Sequence, residues 1–128
     1  MTRAQILNGY LAEVRHKKLR PGSHDCGLFV AGWVKALTGE DHAKPYRGRY
    51  RSLKRLAEIM AEDGYDSHVD YVAGLFEEIP PSFAQTGDIC VADDDALGIF
   101  ASDRIMVLTM TDGLGSLSRL RAKRSFRV

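Results

Sequence analysis

Apolar residues recur at helical spacing in the first part of the chain and at strand spacing in the last third. Ile6, Leu7, Tyr10, Leu11 and Val14 share one helical face. This predicts a helix over residues 2–16 with Thr2 as its cap. Residues 17–24 carry Pro21-Gly22-Ser23 and read as a loop. Residues 26–37 are apolar nearly all round, with Leu28, Phe29, Val30, Trp33, Val34 and Leu37 among them. Such a helix is buried, so this is the expected central one. Asp25 caps its start, and Thr38-Gly39 ends it.

Residues 40–51 contain Pro45 and Gly48 and read as irregular. A third helix is expected over 52–62, capped by Ser52, with Leu53, Leu56, Ala57, Ile59 and Met60 on one face and Gly64 as the stop. A short fourth helix is expected over 68–76. The pattern then changes to short apolar runs broken by turns. Strands are expected over 88–92, 96–101 and 104–110, with turns at Asp93-Asp94-Asp95, Ser102-Asp103 and Asp112-Gly113. Residues 114–120 and 125–128 are expected to pair at the sheet edges. Helices followed by a hairpin meander give an α+β class: N-terminal helices packed on a small antiparallel sheet.

Length sets the scale. The chain has 128 residues, which fits one domain spanning 1–128 with a core of its own. The chain is 45% hydrophobic, and its 18 basic and 17 acidic residues leave a net charge of +1. No global charge draws it to nucleic acid or an anionic membrane. No run approaches the roughly 20 apolar residues of a membrane helix. The first residues lack a signal peptide's apolar run, so none is expected. Two basic stretches, Arg47–Arg55 and Arg119–Arg127, alternate with Tyr46, Tyr50 and Phe126. They read as a solvated or docking face, with phosphate binding as the alternative. Neither the acidic turn nor the cysteines have a metal-site spacing, and no cofactor is expected.

Chemistry concentrates at His24-Asp25-Cys26. A thiol in the first turn of a helix meets the positive end of the helix dipole and free N–H groups, which favour thiolate. The same groups could steady an oxyanion. The plain alternative is a cysteine packed as a small hydrophobe. Cys90, between Ile89 and Val91 in an expected strand, takes that plain reading.

The run Asp25-Cys26-Gly27-Leu28-Phe29-Val30 resembles the motif that opens the catalytic helix of NlpC/P60 peptidases, which have a papain-like fold. Thr86-Gly87-Asp88-Ile89 is similar to the element that begins that family's first core strand. Ala96-Leu97-Gly98-Ile99-Phe100 resembles the following strand, except that Ala96 stands where the family has its general-base histidine. The resemblance therefore implies a vestigial nucleophile at Cys26. His24 is the nearest stand-in base. His16, His42 and His68 read as surface residues. Asp25 reads as a cap, since its charge beside Cys26 would oppose thiolate formation.

With Arg47-Gly48-Arg49-Tyr50 included, the pattern also resembles short phage and prophage proteins of NlpC/P60-like type encoded among tail genes. That resemblance implies a tail-tip or baseplate component, made in the bacterial cytoplasm and carried in the virion tail, with other tail proteins as partners. Two other readings stand beside it: a working cell-wall cysteine peptidase or amidase, and a binding module for peptidoglycan fragments.

Overall fold

Thr2 starts the first helix as the pattern predicts. Its hydroxyl accepts the Gln5 N–H at 3.2 Å, and the Gln5 side chain accepts the Thr2 N–H at 2.8 Å. The structure is a computed structural model and describes residues 1–109 and 113–128. Among these, four helices precede or flank a six-stranded sheet. The helices are α1 (Arg3–Val14), α2 (Cys26–Thr38), α3 (Leu53–Glu62) and α4 (His68–Leu75). Asp25, Ser52 and Ser67 cap the last three through side-chain oxygens, and Gly39 ends α2 in the left-handed region. The strands are β1 (Glu78–Ile79), β2 (Ile89–Val91), β3 (Leu97–Ala101), β4 (Arg104–Thr109), β5 (Gly113–Ser118) and β6 (Arg124–Phe126). The class is α+β.

The sheet is antiparallel in the order β1-β6-β2-β3-β4-β5. The meander from β2 to β5 matches the expected succession of strands. The tail does not: β6 lies inside the sheet, between β1 and β2, and only β5 and β1 form edges. Phe126 explains the inner position, since its ring is fully buried in the main core. The short strand β1 was not expected, because two residues carry no periodicity. Ala96 belongs to the turn that follows Asp95, and β3 starts at Leu97. Met110 and Asp112, assigned by pattern to a strand end and a turn, lie outside the described residues.

Alternation divides β2 and β3 between two apolar layers. Ile89, Val91, Leu97 and Ile99 face α1 and α2, where they meet Leu7, Phe29, Trp33 and Val34. Cys90 and Phe100 face the other way, toward Ile79, Ala84, Ile105 and Val107. A third cluster stands apart: Tyr46, Tyr50, Leu56, Ile59 and Met60, with Tyr65 and Tyr71 against it.

The Thr86-Gly87-Asp88 turn ties the ends of the chain to α2. Trp33 Nε1 donates to the Gly87 carbonyl at 2.7 Å. Asp88 is buried and accepts from Arg3, Gln85 N–H and Val128 N–H. Gly87 has φ +92°, and a Cβ there would sit 2.7 Å from both the Trp33 ring and Arg3. Only glycine fits that turn.

Candidate functional site

The loop before α2 is built to fix the helix start. Asp25 is almost fully buried and is held by three donors. Leu28 N–H reaches Oδ1 at 3.0 Å. Gly22 N–H and the Tyr50 hydroxyl reach Oδ2 at 3.1 and 2.5 Å. Gly22 has φ +88°, and a Cβ there would lie 1.9 Å from the Tyr50 carbonyl oxygen. The glycine in Pro21-Gly22 thus lets the Tyr50 strand of chain close over the cap. Tyr50 is the residue whose role the pattern missed. Its signal was Arg47-Gly48-Arg49-Tyr50, which the sequence offered only as a resemblance.

This cap places Cys26 in the first turn of α2, partly exposed. Burial pushes its thiol above the ordinary 9.0. The N–H groups of Leu97, Gly27 and Cys26 itself pull the other way, while the Asp25 charge adds to the rise. Helix N-terminal help is typically about 0.3–1 kcal/mol, less than one pKa unit's worth of about 1.4 kcal/mol. Desolvation wins, and the resting state is the neutral thiol.

The sulfur meets β3 at Leu97, one residue past Ala96. Among the described residues no imidazole is hydrogen-bonded to it. His24 packs edge-on against Phe29, with ring centroids 6.2 Å apart, and does not line the space in front of Cys26. Its pKa is lowered, first by burial and then by Lys17, against an opposing pull from Asp25. Its Nε2 is buried without a partner. His16 is exposed. His42 and His68, read from sequence as surface residues, instead line the same cleft as Cys26. His68 Nε2 lies 2.7 Å from the Asp95 carbonyl oxygen. His42 stacks edge-on against Phe76 at 5.5 Å. Helical spacing around Ser67-His68 gives no hint of this, because α4 turns that residue inward only through its packing.

The cleft has a volume of about 520 Å³. One wall is α2 and the sheet, with Val30, Val34, Ile89 and Leu97. The other is α3, α4 and the tyrosine cluster, with Tyr46, Tyr50, Leu56 and Met60. Cys26 lies at the seam. The lining is mostly aliphatic and aromatic, which suits an apolar ligand group better than a polar, charged one.

Cys90 is fully buried in β2, and burial pushes its thiol up to about 12. Among the described residues no group of His, Cys, Asp and Glu could hold a metal. Much of each basic stretch is engaged within the chain. Arg47 holds Asp41 through two hydrogen bonds, Arg124 holds Glu78 likewise, and Arg121 pairs with Asp93. Arg119 donates to the carbonyls of Ser102, Pro81 and Ala84 and lies over the Phe100 ring. These are structural ties. Among the described residues no helix is long and apolar enough to cross a membrane.

Fold and site together define an α+β domain with a cysteine at a helix start, facing an apolar cleft. The chain belongs to the family described as a domain of unknown function (DUF6950), which matches residues 2–128. No curated protein matches it.

Proposed function

We propose that the chain is a degenerate papain-like domain of NlpC/P60 type, kept as a structural component of a phage or prophage tail tip or baseplate. The observation that carries the non-catalytic part is the sulfur's environment. Its thiol is pushed up, and no imidazole is bonded to it among the described residues. General acid–base help is worth about 10²–10⁴-fold in rate, and this arrangement forgoes it. The layout supports the family reading: a capped cysteine helix lies against an antiparallel meander, and Ala96-Leu97 adjoins the sulfur. The tail role follows the sequence resemblance alone. Other tail proteins are its partners, and the protein passes from the bacterial cytoplasm into the virion tail.

Iodoacetamide alkylation tests the non-catalytic part. Cys26 should react slowly near neutral pH, with its midpoint above 9. Purified protein should not cleave peptidoglycan. Rapid alkylation near pH 6, or cleavage that Cys26→Ala abolishes, would sink the reading. Co-purification with the structural proteins of a virion tail tests the location, and consistent absence from tails would count against it.

One observation favours a working cysteine hydrolase as the second reading. His68 lines the same cleft as Cys26, and its Nε2–H donates to the Asp95 carbonyl, which fixes the ring's direction. In that case His68, not His24, is the non-standard base. His68→Ala would then slow Cys26 alkylation, whereas the degenerate reading expects no change.

A further inference from the structure

The cleft is unlike the rest of the surface in charge. The chain carries 18 Lys and Arg, yet none lines the cleft among the described residues. Its rim instead bears the carboxylates of Asp66, Asp94 and Asp95, and no ion pair engages them among the described residues. The neighbouring Asp93 is the contrast, paired with both Arg121 and Lys123. Asp93 and the His68 bond to the Asp95 carbonyl thus anchor the turn; the Asp95 charge also acts on Arg124, but neither Asp94 nor Asp95 is in an ion pair among the described residues.

The apolar lining also continues outward. Leu53 is 51% exposed and Leu75 39% exposed, and both line the cleft. They extend the apolar lining to the surface, and a continuous apolar patch of that kind is what a partner chain covers. A small ligand would instead be enclosed on most of its surface.

We infer that this cleft docks an extended segment of a partner protein that presents a large apolar side chain beside a lysine or arginine. The apolar group fills the space before Cys26, and the cation meets the carboxylates of Asp94 and Asp95. The inference rests on the non-catalytic reading of the site, since the segment is held rather than cut. It also gives the open cleft a use that does not need a base at position 96.

The test is selection from a displayed library of random twelve-residue peptides against the intact protein. Enriched sequences should pair an aromatic or aliphatic residue with Lys or Arg one or two positions away. A synthetic copy of the most enriched peptide should shift the amide resonances of Cys26, Ala96 and Leu97. The double variant Asp94→Asn with Asp95→Asn should weaken that peptide by about fivefold, the scale of partly exposed charge pairs. Asparagine tolerates the positive φ of 58° and 57° at these positions, so folding is kept. Leu53→Ser should weaken it as well. No enrichment, enrichment of acidic peptides, or shifts confined to another surface would overturn the proposal. So would binding of dodecyltrimethylammonium in place of any peptide, or self-association abolished by the same variants. Mass spectrometry of the bound peptide separates the two readings. An intact peptide supports both, whereas cleavage lost in Cys26→Ala would overturn the non-catalytic reading and with it the claim that the segment is held, even where enrichment follows the expected chemistry.

Discussion

The two walls of the cleft are built by different physics. The α2 and sheet wall rests on a dry core: Leu97 in the wall and Trp33, Phe29 and Ile99 behind it are buried almost completely, and most of what they touch is apolar. The α3 wall is an aromatic cluster in which each of three tyrosines also holds a polar partner. Tyr46 donates to Asp63 at 2.8 Å, Tyr71 to the His42 carbonyl at 2.6 Å, and Tyr50 to Asp25. Tyr71 stacks edge-on against Tyr46 and Tyr65, with centroids 5.3 and 5.1 Å apart. α4 bridges them, sending Val69 and Val72 into the main core and Tyr71 into the cluster. The first wall is held chiefly by area removed from water and is the fixed one; the second adds to its own buried cluster hydrogen bonds that must stay paired.

The largest break is on the fixed side. Trp33→Ala removes the bulkiest fully buried side chain and leaves the Gly87 carbonyl without its donor. The loss should be about 3–5 kcal/mol in urea unfolding, enough to threaten folding altogether. Tyr46→Phe, on the other wall, keeps the ring and removes one hydrogen bond, so it should cost only about 1 kcal/mol. Equal losses from the two changes would erase the distinction between the walls.

The seam comes next. Asp25→Ala removes the cap and orphans Gly22 N–H and the Tyr50 hydroxyl. The expected loss is about 2–3 kcal/mol, combining a cap with the unpaired donors. Asp25→Asn keeps part of the network and removes the charge. Because the Asp25 charge raises the Cys26 thiol pKa, alkylation of Cys26 should then shift to lower pH. An unchanged alkylation profile would show that the Asp25 charge does not act on the thiol.

The contrast between walls also explains what the sequence could reveal. The caps at Thr2, Asp25 and Ser52 and the central helix were legible, because caps and periodicity act within a few residues. The meander was legible for the same reason. The tyrosine wall was not. Tyr46 and Tyr50 fall in a stretch with Pro45 and Gly48 that reads as irregular, and their partners Asp63 and Asp25 lie 17 and 25 residues away. The inner position of β6 depends on a pairing with Ile89 from 37 residues upstream of Phe126, which no local pattern encodes. At the site, Cys26 and the gap at Ala96 were visible. That His68 rather than His24 enters the cleft was not, since a side chain's direction follows from packing.

The response to pH comes last; it has an acid and an alkaline limb, and the first wall adds to both, since Tyr10, bonded to the Phe29 carbonyl, is raised by burial as the second wall's tyrosines are. His24 lies against Phe29 in the core behind the fixed wall, and its pKa is held below the ordinary 6.5 chiefly by burial. The folded state therefore binds fewer protons there than the unfolded one. Its contribution is full above about pH 6.5 and declines as pH falls toward the lowered value. Tyr46, Tyr50 and Tyr71 are all raised above the ordinary 10.0, chiefly by burial, and Asp63 and Asp25 add to the rise at the first two. Their contribution is full below pH 10 and is lost as pH climbs through that value, where the unfolded chain ionises first. Urea unfolding between pH 5 and 11 should thus show a shallow acid decline that His24→Gln flattens and a steeper alkaline decline that Tyr46→Phe reduces. An acid decline untouched by His24→Gln would place its cause elsewhere on the fixed wall. An alkaline limb unaltered by Tyr46→Phe would mean that Tyr46 holds the second wall by its ring alone.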